Sequence, residues 1–282
     1  MKIGMNLLLW TTQVNESTYA IMEALRETGY NGVEIPIGEG DSKYYSAIRT
    51  QLDNLGLSCT TITSLTPENN PISPDPAIRK AAVNRLKWAI EMSAAMGSEL
   101  LCGPFHSAYK SFTGMAPTAD ENRWGIEVLR QAAEFAAGHN VCLAIEPLNR
   151  FECYFLNTMA DAHAFVGQIA HPNCKLLYDT HHSNIEEKSS AIAIESCADY
   201  IAHVHISENH RGTPGPGQVN WEENFKALKK INYQNWLVVE SFSTAVPDFA
   251  SAIHVWRDFA ASSEEVYTEG LRFIQRMCQE VT

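Results

Sequence analysis

The sequence lacks paired cysteines, and it also lacks long apolar runs. Its seven cysteines are odd in number and include no Cys-X-X-Cys pair, which argues against a disulfide scaffold and favours reduced thiols. No apolar run approaches the roughly 20 residues that span a bilayer, and the amino terminus has no signal-peptide pattern. We therefore expect a cytoplasmic protein that has no membrane partner.

Basic residues are scarce relative to acidic ones. The 21 Lys and Arg residues against 33 Asp and Glu residues give a net charge of -12, so nucleic acid is not expected as a partner. No Gly-X-Gly-X-X-Gly motif follows the first β-prone run, which disfavours a dinucleotide-binding open sheet. The 282 residues, 45% of them hydrophobic, are enough for one domain with a large core.

What the sequence contains is an alternation of short β-prone runs with longer amphipathic windows. Almost entirely apolar strands that alternate with helices are typical of a parallel sheet covered on both faces. For this length we predict a closed (β/α)8 TIM barrel, with residues 1–282 as a single domain, over an open doubly wound sheet. Eight runs are predicted as strands: residues 2–9, 32–37, 58–64, 98–105, 141–148, 174–180, 201–207 and 236–242.

Helix signals and long connections complete the predicted architecture. One helix is predicted over residues 118–137, another begins after Asn220, and a third begins at Ser262 with an apolar stripe that reaches Val281. Long loops after strands of a barrel lie over its active face, where they serve substrate binding or subunit contact. Three connections are of this kind: residues 66–75, 107–117 and 243–261.

Four consecutive strand runs each carry a potential metal ligand near the carboxyl end: Glu146, Asp179, His205 and Glu240. The gaps of 33, 26 and 35 residues match one strand–helix unit, so a barrel would bring these side chains together at one mouth. Each alone has a structural alternative: Glu146 could be a paired carboxylate, and Asp179 could cap the next helix. Together, the carboxylates would repel strongly unless a divalent cation were bound.

The donor set indicates the kind of ion. Three carboxylates and one imidazole, without a thiolate, favour Mn²⁺, Mg²⁺ or Co²⁺, and ligand type alone also allows Zn²⁺. Four protein ligands leave two octahedral positions for two neighbouring oxygens of one substrate. Glu146 and Glu240, on the fifth and eighth strands, could transfer protons on the two sides of that substrate.

Three stretches resemble the ketose 3-epimerases: EPLNRFE at 146–152, DTHHSNIEE at 179–187 and HVHISENHR at 203–211. This family includes the D-tagatose, D-allulose (psicose) and ribulose 3-epimerases, and it belongs to the xylose isomerase-like TIM barrels. The resemblance covers essentially the whole chain and is most specific in the second half. It implies an isomerase that acts on free, non-phosphorylated ketoses, one Mn²⁺ or Co²⁺ ion per subunit, and a homodimer or homotetramer.

The resemblance also implies roles for individual residues. Glu146 and Glu240 would be metal ligands and also the acid/base pair that removes and returns the C3 proton through a cis-enediolate. The candidate substrate-binding residues are Glu152, His182, Arg211, Trp10, Phe242 and His106. Four of them have simpler alternatives. Arg211 could form a loop salt bridge, and His182 could pair with Asp179. Glu152 could pair with Arg150, and His106 could make a loop hydrogen bond.

Two departures from the family pattern concern the distal end of the sugar pocket. Residues 6–10 read NLLLW where relatives tend to have aromatic residues, and Tyr109 stands where a tryptophan is expected. The length and stereochemistry of the preferred ketose therefore stay open.

Three rival functions are compatible with a metal-binding barrel. The first is a metal-dependent aldose–ketose or hydroxy-keto acid isomerase, which would move a proton between neighbouring carbons. The second is DNA repair of the endonuclease IV kind, which a single histidine ligand and the net charge of -12 disfavour. The third is a non-catalytic sugar- or metal-binding barrel, in which two opposed glutamates would have no purpose.

Overall fold

Eight parallel strands form a closed barrel in the computed structural model, which describes residues 1–280. Each strand pairs with the next in sequence, and the last pairs with the first through Met5 and Val239. The predicted TIM barrel is therefore confirmed. The strands are β1 (Lys2–Asn6), β2 (Gly32–Pro36), β3 (Ser58–Ile62), β4 (Leu100–Gly103), β5 (Cys142–Ile145), β6 (Cys174–Asp179), β7 (Ile201–Ile206) and β8 (Trp236–Val239).

Helices connect the strands and cover the barrel. Two of the connections differ from the single helix expected per unit, because two short helices lie between β6 and β7, and the predicted loop 243–261 contains a helix. The helices are α1 (Glu16–Thr28), α2 (Ser42–Leu55), α3 (Pro76–Met96), α4 (Ala119–Ala137), α5 (Met159–Ile169), α6 (Thr180–Glu186), α7 (Ser190–Ser196), α8 (Trp221–Lys230), α9 (Pro247–Ile253) and α10 (Ser263–Glu280). One-turn 3-10 helices cover Leu7–Leu9 and Pro67–Asn69.

Side-chain caps begin the three helices whose starts the sequence predicts. Thr118, Asn220 and Ser262 each accept a hydrogen bond from the backbone N–H three residues on, at the starts of α4, α8 and α10. At the other end, α1 and α2 stop at Gly29 and Gly56, both in the left-handed conformation that glycine adopts without strain. The predicted stripe residue Val281 lies outside the described residues.

Apolar side chains fill the space between the barrel and its helices. A second apolar cluster is formed by Ile62, Leu100, Cys102, Ala144 and Leu177, which come from four neighbouring strands. The seven cysteines, all in the described part of the chain, are free thiols. Within residues 1–280, no helix has the length and hydropathy needed to cross a bilayer.

Candidate active site

The four ligands predicted from sequence meet at the carboxyl-terminal mouth of the barrel. Asp179 is the last residue of β6 and His205 lies in β7, while Glu146 and Glu240 directly follow β5 and β8. All four side chains are buried. One ligand atom from each lies within 4.8 Å of the others, so the predicted spacing brings one donor per strand to a common point.

The ring of His205 lies at the centre of this cluster. Its Nδ1 is 3.3 Å from Glu240 Oε1, 3.6 Å from Asp179 Oδ2 and 3.8 Å from Glu146 Oε1. This nitrogen is buried and has no hydrogen-bond partner among the described residues. Ligands about 2.1 Å from one ion lie about 3 Å apart when adjacent and about 4.2 Å apart when opposite. The donor set therefore fits one small divalent cation.

Crowding of like charges is strongest at Glu146. Burial raises the pKa of this carboxyl well above its usual value, and the charges of Glu240 and Asp179 raise it further. Its contact to His182 Nε2 is 3.6 Å, too long for a hydrogen bond. Arg211 balances part of this negative charge, and a cation at this point would balance more of it.

Glu240 is held at both of its carboxylate oxygens. Asn6 Nδ2 donates to Oε1 at 3.1 Å, and Arg211 Nη1 donates to Oε2 at 2.7 Å. A carboxylate with a donor at each oxygen has a defined orientation, so Glu240 is the more rigid member of the predicted acid/base pair.

On the opposite side of the His205 ring lies Glu34, a fully buried residue of β2 that the sequence analysis did not identify. Its Oε1 is 2.8 Å from His205 Nε2 and 3.0 Å from Asn6 Nδ2. Its Oε2 is 2.7 Å from His203 Nε2 and 2.9 Å from Thr60 Oγ1. These distances bring Glu34 into direct contact with both imidazoles. Such a carboxylate orients the imidazole and directs Nδ1 toward the cluster.

Arg211 lies inside the site and not in a surface salt bridge. It is buried, and its backbone has a left-handed φ of 64°. Besides its bond to Glu240, Nη1 donates to Ser207 Oγ at 2.8 Å, and Nη2 lies 2.9 Å from His182 Nε2. The guanidinium also stacks 4.9 Å from the ring centre of Phe242. These contacts place a permanent positive charge beside the carboxylates.

Asp179 and His182 both lie in the site, as predicted, and they also contact each other. Asp179 accepts a hydrogen bond from the His182 backbone N–H at 2.8 Å and so caps α6, as the simpler alternative proposes. Burial lowers the pKa of His182, which favours the neutral ring. Its Nδ1 lies 3.1 Å from the Asn149 backbone nitrogen, and its Nε2 lies 2.9 Å from Arg211 Nη2, beside the cavity.

Glu152 does not form the alternative pair with Arg150, which instead binds Glu186 at 2.8 Å. The Glu152 carboxylate accepts a hydrogen bond from the Tyr109 hydroxyl at 2.8 Å. Burial favours a raised pKa for this group, but its interactions with His182 and Arg211 and its hydrogen bonds from Asn149 and Tyr109 lower the pKa to about 2. Glu152 is therefore an ionised acceptor at the rim of the cavity.

Two predicted substrate contacts lie outside the lining of the main cavity. Trp10 follows the one-turn helix after β1, and its ring packs 6.2 Å from that of Tyr267. His106 is fully buried against Phe155, and neither of its ring nitrogens has a hydrogen bond of good geometry. Among the described residues that line the main cavity, Phe242 is included, but Trp10 and His106 are not.

The loop that carries Arg211 is organised by Glu208, a second residue that the sequence analysis missed. The Arg211 backbone N–H donates to the Glu208 carbonyl at 2.9 Å. The Glu208 carboxylate is fully buried and accepts five N–H donors at 2.9–3.2 Å, from the backbones of Asn209, Gly215, Gly217 and Val219 and from the Trp221 ring. An acid beside a glycine- and proline-rich turn was the available sequence signal.

The site opens into a cavity of about 640 Å³. One half, on the β5–β8 side, is lined by residues that include Glu146, Glu152, His182, Arg211 and Glu240. The other half, on the β1–β4 side, is lined by residues that include Leu8, Thr12, Gly38, Ser64 and Arg85.

Comparison with known proteins gives matches over nearly the whole chain. The sequence model of the xylose isomerase-like TIM barrel family matches residues 22–277. A ketose 3-epimerase of Arthrobacter globiformis is 33% identical over 278 residues, which are 98% of this chain and 96% of that protein. An L-ribulose 3-epimerase of Methylomonas sp. is 30% identical over 98% of this chain and 97% of its own length. The crystal structure of a Methylomonas D-allulose 3-epimerase in complex with D-allulose superposes with a TM-score of 0.91 at 28% identity, over 98% of this chain and 97% of that one.

Proposed function

This chain belongs to the ketose 3-epimerase family of the xylose isomerase-like TIM barrels, and we propose that it epimerises carbon 3 of free ketoses. One observation supports this most directly. Glu146 and Glu240, three strands apart around the barrel, converge on one cavity beside His205 Nδ1, a buried nitrogen that has no hydrogen bond within residues 1–280.

We propose Mn²⁺ or Co²⁺ as the cofactor, one ion per subunit, held by Glu146, Asp179, His205 and Glu240. Oxygen-rich donor sets favour these ions, and Mg²⁺ and Zn²⁺ are also chemically compatible. When bound, such an ion would act as a Lewis acid that stabilises the negative charge of an enediolate.

The two glutamates would exchange the proton on carbon 3. One carboxylate removes it from one face of the sugar, and the other returns a proton to the opposite face of the planar cis-enediolate. Their roles reverse for the reverse reaction. Proton transfer by a positioned side chain typically contributes about 10²–10⁴-fold to the rate. The fixed orientation of Glu240 and the raised pKa of Glu146 suit such a pair.

The remaining polar residues would bind the reacting end of the sugar. Arg211 Nη2 and His182 Nε2 lie 2.9 Å apart beside the cavity, and we propose that these two side chains bind the carbonyl oxygen, which gains negative charge in the reaction. The ionised Glu152 would accept a hydrogen bond from a sugar hydroxyl. Phe242 would cover the apolar side of the substrate. His106 and Trp10 are not needed in this arrangement.

A substrate panel tests the proposal. Protein loaded with Mn²⁺ or Co²⁺ is incubated with D-fructose, D-tagatose and L-ribulose, and the products are separated by chromatography. We expect the C3 epimer of at least one ketose, and the same sample yields the subunit number, for which homodimer or homotetramer is the family expectation. An aldose as the main product would instead favour the aldose–ketose isomerase.

A further inference from the structure

We infer that the β1–β4 half of the cavity is a subsite for a glycosyl group attached to the distal end of the ketose. This inference rests on the proposed function and specifies its substrate class. The substrate would be a neutral ketose extended by a second sugar, with the 3-hydroxyl free.

The first support is the size of the cavity. A ketohexose occupies roughly 200 Å³, about the share of six or seven water molecules. The cavity measures about 640 Å³, within the range of about 300–1,000 Å³ that encloses ligands of larger molecular size. A single hexose would leave most of this volume to solvent, whereas a disaccharide would fill a large part of it.

The second support is the one-sided position of the reactive groups. The metal ligands Glu146 and Glu240 and the donors His182 and Arg211 come from segments that follow β5, β6, β7 and β8. A ketose whose carbonyl end is held there must extend its other end toward β1–β4. The spare volume therefore lies at the end of the sugar that does not react.

The third support is that small residues line part of this half of the cavity. Trp10, which is close to Leu8 in sequence, packs on Tyr267 instead. Leu8 and Thr12 line the cavity in its place. Gly38 is exposed there, and a Cβ atom added to it would meet no atom within 4 Å. Space is therefore open where a bulky residue would restrict the substrate to a monosaccharide.

The chemistry of the wall suits a neutral sugar. Ser64 and Thr12 present exposed hydroxyl groups, and the Phe249 ring offers an apolar face. Arg85 stacks 4.1 Å from the ring of Trp88 and uses Nη2 to bind the Gly38 carbonyl, which leaves its other N–H groups for a ligand. Lys110, the other cation on this side of the cavity, binds the Ala252 carbonyl. With a net charge of -12 and both cations partly engaged, a phosphate group is the poorer fit.

The test compares the binding and turnover of isomaltulose, a 6-O-glucosyl fructose, with those of D-fructose. We expect the Mn²⁺-loaded protein to bind isomaltulose at least about tenfold more tightly, a difference of about 1.4 kcal/mol, and to convert it to the C3 epimer. Gly38→Trp should reduce this preference about tenfold, because the indole occupies the proposed subsite. Thr12→Trp repeats the test from a neighbouring position should Gly38→Trp not fold.

Gly167→Trp is the matched control. Gly167 is an exposed residue of α5, and a Cβ atom added to it would also meet no atom within 4 Å. It should leave the ratio of the two dissociation constants unchanged. Equal or weaker binding of isomaltulose, or tighter binding of fructose 6-phosphate, would overturn the glycosyl subsite. Tight isomaltulose binding without a C3 epimer would instead retain the subsite and remove the proposed epimerase activity.

Discussion

Asn6 joins the candidate base Glu240 to the buried carboxylate of Glu34 through a single amide nitrogen. Its Nδ2 is 3.1 Å from Glu240 Oε1 and 3.0 Å from Glu34 Oε1. Its Oδ1 accepts the Leu8 backbone N–H at 2.9 Å, which fixes the orientation of the amide. Because His205 contacts the same two carboxylate oxygens with its two ring nitrogens, the four side chains form a closed polar ring.

This ring predicts that Asn6→Ala weakens the metal site. The substitution removes the donor that holds Glu240 Oε1 and Glu34 Oε1, so both carboxylates lose their fixed orientation. We expect the dissociation constant for Mn²⁺, measured by calorimetry, to rise about tenfold. Asn6→Asp is the comparison that removes the same donor but adds a negative charge, which attracts the cation, so it should weaken binding less. Equal affinities in Asn6→Ala and the parent protein would contradict this role.

Glu146→Gln and Glu240→Gln should each reduce kcat by at least about 10²-fold, because the amide cannot accept the proton. Circular dichroism and the melting temperature should show that the barrel is retained, since each change keeps the shape of the side chain. Either variant keeping more than about a tenth of the parent rate would remove the two-base scheme.

The burial of His106 should make part of the protein's stability depend on pH. Burial lowers its pKa to about 3, whereas the unfolded chain has a value of about 6.5. Between these values the unfolded state binds a proton that the folded state does not, so stability falls as pH drops below about 6.5. In His106→Phe, the loss of unfolding free energy from pH 8 to pH 5 should be smaller by about 2 kcal/mol. Parallel curves for the two proteins in urea titrations would contradict this prediction.

Glu208→Gln should impair substrate binding through Arg211. An amide would place N–H groups against two or three of the five donors that converge on the carboxylate, so the loop of residues 208–219 would be destabilised by about 1–3 kcal/mol. We expect KM to rise, and combination with Arg211→Ala to add little. The exposed Glu222→Gln, which removes only a pairing with Lys226, is the control. Fully additive effects of the two substitutions would show that Glu208 acts elsewhere.

The barrel and the ligand set were predictable because both depend on regular spacing. Eight apolar runs at the interval of one strand–helix unit determine the topology, and a charged residue at the carboxyl end of successive strands must face the mouth. Glu146 and Asp179 follow this rule without any knowledge of their neighbours.

The remaining parts of the site depend on contacts that spacing does not encode. Asn6 and Glu34 stand in apolar strands, which indicates burial, but their partners come from strands far away in sequence. The position of Trp10 depends on a one-turn helix, and the helix within residues 243–261 lies in a segment with few helix signals. Resemblance alone suggested Trp10 as a pocket residue, and its ring packs on Tyr267 outside the lining of the main cavity.

Solvent-isotope exchange tests the central claim most directly. The Mn²⁺-loaded protein is incubated in D₂O with a ketose that it converts, and the recovered ketose is analysed by NMR. Proton removal by one carboxylate and return by another predicts deuterium on carbon 3 of the recovered sugar. Deuterium found only on carbon 1, or conversion without any exchange, would contradict 3-epimerisation by Glu146 and Glu240.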